Sequence, residues 1–243
     1  PASQRGSTVT EPVAYLPVAL AGHRLTPPVW PQIVGQIGGT VRAVGVDGDH
    51  AYFAVGPRLW VAAIGSPAEI EVVGRSGILP GLVEDISVVD GYAYIAAEWG
   101  AGLVVIDVRD PSHPSIVSQV STLGGPALGV HVEGSYAYVA DGFWGGFKAY
   151  DVSDPASPGL VGADFNGFIN TDVQVLDGFA YVTAIAVWGS DEGAGWLLVY
   201  DVHDPTSMDL LRTVGFPSAA MDVFVADDRA YVATPDGVRV VDV

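Results

Sequence analysis

The chain has no cysteine and a single lysine, Lys148, in 243 residues. The first absence removes disulfides, thiolate metal sites and cysteine nucleophiles together. The second leaves ten basic residues against 28 acidic ones and a formal charge of −18. That balance excludes the cationic patches on which nucleic-acid and anionic-membrane binding depend. No apolar run approaches the ~18 residues of a membrane-spanning helix, so membrane insertion is not expected. A Gly-x-Ser-x-Gly elbow, a P-loop and a dinucleotide fingerprint are also missing. The five histidines, His23, His50, His113, His131 and His203, show no metal-ligand spacing. The chain begins at Pro1 with neither a charged n-region nor an apolar h-region, which reads as a mature or trimmed start.

Glycine and proline are plentiful, at 31 and 17, and 49% of the residues are apolar. This suits many short strands joined by tight turns and excludes a disordered chain. One motif, Ala-Tyr-Φ-(Ala/Thr) with Φ a Val, Ile or Phe, occurs five times. Its tyrosines are Tyr52, Tyr94, Tyr138, Tyr181 and Tyr231, spaced by 42, 44, 43 and 50 residues. Self-similarity at that period, with about four strands per unit, is the signature of propeller blades.

The second repeat is the clearest. Asp85–Val89 alternates as a strand, Asp90-Gly91 is a hairpin turn, and Tyr92–Ala96 returns. After a glycine-rich turn, Leu103–Val108 is a third strand, ended by Arg109-Asp110-Pro111. Ser115–Val120 is a fourth, outer strand. The third strands Leu103–Pro111, Phe147–Pro155, Leu197–Pro205 and Val238–Val243 resemble those of the LVIVD-repeat family of β-propellers, found in bacterial and archaeal surface proteins. The resemblance spans about residues 31–243 and implies the fold while saying little of activity. The first repeat departs from it, with Ala63 for the strand-end aspartate and Ser66 before Pro67.

The last repeat reaches Val243 one strand short. Residues 31–38 read like the outer strands Gly159–Ala163 and Leu210–Gly215, so they are expected to complete the fifth blade. The expectation is an all-β, five-bladed ring over residues 31–243, sealed by its N-terminal strand.

Residues 1–30 are then surplus, an extended N-terminal arm. Thr8–Leu20 is apolar on both faces through Val9, Val13, Tyr15, Leu16, Val18 and Leu20, and Pro12 and Pro17 exclude a helix. Thirteen extended residues reach about 43 Å at roughly 3.3 Å each. Such a ribbon needs a cover. It could be its own propeller, a neighbouring copy reached by strand addition, or a partner upstream of Pro1. The second option builds open filaments unless the rotation closes.

Two sets of residues are candidate sites. The loops between second and third strands carry Trp99, Phe143, Trp144 and Trp188, with Glu98, Asp141, Asp191 and Glu192 close by in sequence. Aromatic rings beside carboxylates suit a sugar, a protein interface or plain packing. Eight residues before the Ala-Tyr motifs stand Asp85, Asp172 and Asp222, with Ala43 and Gly129 in the other two repeats. These carboxylates could share Ca²⁺, or accept backbone N–H groups and fix the next blade. The repeated Asp107, Asp151, Asp201 and Asp242 have the second, structural reading.

Three functions follow. The first is a non-catalytic, secreted or cell-surface structural and interaction module, self-assembling through the arm. The second is a carbohydrate-binding propeller. The third is a glycoside hydrolase, which needs a carboxylate pair at the channel mouth, with Glu98 or Glu192 as candidates. The insertion Ala184–Gly195 breaks the repeat symmetry most. Copies of the chain itself, a glycan or a cell-surface protein are the expected partners.

Overall fold

The computed structural model describes residues 41–66, 70–98, 100–122, 125–143, 145–187 and 193–243. Residues 1–40, which include the arm and the expected closing strand, lie outside the described residues, as do Trp99, Trp144, Trp188, Asp191 and Glu192. The described residues form strands and turns without a helix. The first sheet holds β1 (Val44–Asp47), β2 (His50–Ala54), β3 (Leu59–Ala63) and β4 (Glu71–Arg75). The second holds β5 (Val83–Val89), β6 (Tyr92–Ala97), β7 (Gly102–Asp107) and β8 (Ser115–Val120). The third holds β9 (Ala127–Glu133), β10 (Tyr136–Asp141), β11 (Gly146–Asp151) and β12 (Gly159–Asp164). The fourth holds β13 (Ile169–Leu176), β14 (Phe179–Ile185), β15 (Gly195–Asp201) and β16 (Asp209–Phe216). A fifth, three-stranded sheet holds β17 (Asp222–Ala226), β18 (Arg229–Thr234) and β19 (Gly237–Asp242).

Each sheet is an antiparallel meander in chain order, because its connections are too short for a crossover. Asp90-Gly91 and Asp177-Gly178 both have positive φ, 52° and 77° in one and 52° and 78° in the other. That is the two-residue hairpin turn the Asp-Gly pairs predict. The result is a propeller-like repeat fold. Among the described residues β19 pairs only with β18, and no sheet closes the set.

The Ala-Tyr-Φ-Ala motif recurs because it sits between sheets. Strand alternation sends its two faces to two neighbours. Tyr94 and Ala96 of β6 pack with Val130, Val132 and Ala137 of the third sheet, whereas Ala93 and Ile95 pack with Leu59 and Val61 of the first. Tyr138 and Ala140 likewise meet Val173, Ala180 and Val182, and Tyr181 meets Val223, Ala230 and Val232. A large ring from one sheet fills the space that an alanine leaves on the next. Burial of each such tyrosine contributes on the order of 2 kcal/mol.

The outer strands repeat a second device. The registers β3–β4, β7–β8, β11–β12 and β15–β16 each carry a bulge at the same place, beside Gly74, Ser118, Gly162 and Arg212. The extra residue bends the strand toward its neighbour. There Ser118 Oγ donates to Pro155 O at 2.7 Å. A Cβ on Gly74 would stand 1.9 Å from Pro111 O, and one on Gly162 2.1 Å from Pro205 O. The Asp-Pro turns therefore join each sheet to the one before it. Their aspartates hold them in shape: Asp107, Asp151 and Asp201 accept N–H groups from Arg109, Ser153 and His203. These three carboxylates accept backbone N–H groups as expected, but within their own turns and not from the next sheet.

A Gly162→Val substitution forces β12 off the Pro205 carbonyl and is expected to destabilise by roughly 2–3 kcal/mol in urea denaturation. Ser118→Ala removes one hydrogen bond and is expected to cost about 1 kcal/mol.

Candidate functional site

The first strands bring one position from every repeat to a single cavity of about 270 Å³. That position is Arg42, Glu84, Leu128, Thr171 and Met221, each one residue before the aspartate-bearing position. In β5, β9 and β13 it lies at a register shift against the second strand. A bulge at that point re-aims a side chain that regular pleating would send into the sheet. Five different residue types at equivalent places make the mouth chemically asymmetric.

Behind them, Asp85, Asp172 and Asp222 line the same cavity. Asp85 Oδ2 accepts Val130 N of the third sheet at 2.8 Å, and Asp172 Oδ2 accepts Val223 N of the fifth at 3.0 Å. Two residues on, Ser87 Oγ accepts from Val132 N and Gln174 Oε1 from Val225 N. These pairs tie the second sheet to the third and the fourth to the fifth, so the staple reading holds for Asp85 and Asp172. Gly129 breaks the pattern for a steric reason, since a Cβ there would lie 2.7 Å from Asp172 Cα. No side chain fits between the third and fourth sheets at that level.

Burial pushes the Asp85 carboxyl up, against the pull of its two N–H donors. Burial and the charges of Asp85 and Asp222 push Asp172 up to about 7. Arg42 closes the mouth by an ion pair to Glu84 and a 3.2 Å contact from Nη1 to Glu98 Oε1. Glu84 is raised by burial and by sharing a hydrogen bond with Glu98, which outweigh Arg42. Glu98, a sequence candidate for hydrolysis, is thus held by a cation and a second carboxyl. Among the described residues, no group of three His, Cys, Asp or Glu side chains is placed to hold a metal ion. Of the aromatic loop candidates, Phe143 is described and exposed.

Sequence reasoning placed Asp141 beside the aromatic loop but missed the buried ion pair it makes. Lys148 and Asp141 form an ion pair with both side chains buried, and Asp141 Oδ1 has no hydrogen-bond partner among the described residues. Burial raises the Asp141 carboxyl despite Lys148. Nearby in the sheet succession, Tyr200 Oη donates to Asp164 Oδ2 at 2.7 Å and receives Asn166 Nδ2 at 3.1 Å. The available signal was the lysine itself, at a register position where the second and fourth repeats have Val104 and Leu198.

Two outcomes are expected. The folded pKa of Asp172 lies above its unfolded value near 3.8. Its contribution is therefore present in full below about pH 4 and lost as pH rises through 7. Asp172→Asn keeps an acceptor for Val223 N and removes that loss. Relative to the parent it gains on the order of 2 kcal/mol at pH 8 and little at pH 4, read by urea denaturation. Lys148→Met strands a buried carboxylate and costs roughly 3–5 kcal/mol, most of which returns when Asp141→Ala is added.

Comparison with known proteins bears on the fold. The chain resembles the crystal structure of the computationally designed Ika8 protein, with a TM-score of 0.55 and 14% identity, over 84% of this chain and 71% of that one. No curated protein matches it. The LVIVD repeat matches at residues 80–122, 124–163 and 217–243. The first and fourth repeats lie outside those ranges, the first being the degenerate copy and the fourth the one with the long insertion. The three matched copies overlie the second, third and fifth sheets, consistent with the LVIVD-repeat family.

Proposed function

We propose that the chain is a non-catalytic interaction module, a closed five-bladed propeller at the cell surface that assembles with copies of itself through its N-terminal arm. The observation that carries this reading is the edge of the fifth sheet. Val238 and Val240 of β19 are 65% and 56% exposed, an apolar edge that demands a strand. Residues 31–38 have the composition of the outer strands and would supply it. The five equivalent positions around one cavity support a ring of five. With residues 31–38 spent on the ring, the arm is free to engage a neighbour. Aliphatic residues on the outer strands, Ile116, Leu160, Leu210 and Leu211, are exposed as well and suit a protein partner. Three carboxylates of the cavity are engaged, Asp85 and Asp172 by backbone N–H groups and Glu84 by Arg42, which favours a structural role over hydrolysis.

A second reading, glycan binding, is favoured by the exposure of Phe143 and Phe165. Phe143 belongs to the loop that also holds Trp144 in sequence.

Deleting residues 1–20 is expected to convert assemblies into single particles by light scattering and electron microscopy. An unchanged assembly state overturns the role of the arm. Tryptophan quenching by an oligosaccharide panel tests the glycan reading, and a flat response removes it.

A further inference from the structure

One hairpin departs from the repeat at two places at once. The second and fourth repeats have Ala97 with Val104 and Ala184 with Leu198, all fully buried, where the third has Asp141 with Lys148. An apolar pair thus packs this space in two other sheets, and the fold does not need a polar one. A buried ion pair often stabilises no more than apolar side chains of similar volume. Its presence in one hairpin points to a role other than packing.

The register sets the two groups against each other. Lys148 pairs with Val139 and Asp141 with Gly146, so both side chains leave the same face of the hairpin. Gly146 has no side chain and leaves the lysine stem a path to the carboxyl. Asp141 is fully buried and Lys148 is 3% exposed. The loop backbone lies on the carboxyl, since a Cβ at Gly145 would stand 2.0 Å from Asp141 Cγ. Among the described residues Nζ has one acceptor, Asp141 Oδ2, and Asp141 Oδ1 has no donor. Such a site disfavours both charges, and a proton passed from Nζ to the carboxylate leaves a neutral amine beside a neutral acid. Burial raises the Asp141 carboxyl, in the direction this transfer requires.

We propose that Lys148 and Asp141 condense with each other into an isopeptide bond, for which the ion pair is the unreacted state. The Nζ lone pair attacks Cγ of the protonated carboxyl and forms a C–N bond. A C–O bond breaks, and the hydroxyl leaves with one proton from the nitrogen as a water molecule. Nothing is oxidised or reduced, and no co-reactant is consumed. Thr122, buried beside the carboxyl, is placed to carry that proton. The bond ties together the two ends of the loop that exposes Phe143, in a chain with no cysteine for a disulfide. Neither ring closure nor the arm is involved.

Intact mass spectrometry of the purified full chain, with trypsin digestion after denaturation, is the test. The mass is expected to fall one water below that of the sequence. Lys148 is the only lysine or arginine between Arg109 and Arg212, so an amide there leaves residues 110–212 in one tryptic piece. Lys148→Arg keeps a cleavable side chain and removes the amine. It is expected at full mass and cut into 110–148 and 149–212. A parent chain of full mass overturns the proposal. So does a parent lighter by one water but cut at Lys148, which has dehydrated elsewhere, as an Asp-Gly turn such as Asp90-Gly91 can. If Lys148→Arg is lighter as well, the water is lost at another site and the proposal falls.

Discussion

Neighbouring sheets meet through a size alternation, tyrosine from one against alanine from the next, and the spacing of the whole molecule follows from it. Tyr94 shares a core cluster with Ala137, and Tyr138 shares one with Ala180. Packed interiors tolerate little change of volume, so the motif has to recur as a unit, and the repeat period is its consequence. The polar contacts are adjusted to the distance this packing sets. Side chains such as Asp85 and Asp172 span the gap where first strands stand apart, and Gly129 allows contact where they do not.

That logic explains which parts were legible in the sequence. Strand type and turn position were readable because Asp90-Gly91 and Asp177-Gly178 announce their hairpins and the Tyr motif announces the second strand. The structural role of Asp107, Asp151 and Asp201 was readable because they recur with the turn they hold. The Asp141–Lys148 pair was not. Neither residue repeats, and their proximity depends on the β10–β11 register. The cavity mouth was half legible. Its aspartates recur at one place in the repeats, but Arg42, Glu84, Leu128, Thr171 and Met221 share only a position, and at Glu84, Leu128 and Thr171 a bulge decides where the side chain points.

A repeat fold of this kind separates two jobs. Recurrent residues build sheets and join them, so function has to be sought where recurrence fails: the asymmetric mouth with its single arginine, the buried lysine, the apolar edge of β19 and the N-terminal segment. The mouth is held by internal partners, and the lysine is sealed. Among the described residues the edge of β19 remains as an apolar surface that calls for a partner strand.

In the proposed ring, residues 31–38 complete the fifth sheet and the preceding chain binds outside it. Amide hydrogen exchange on the intact protein tests it most directly. The account predicts slow exchange both in Val238–Asp242 and in residues 32–37, at the level of the middle strands of the other sheets. Rapid exchange in either segment, with the other four sheets protected, would contradict it.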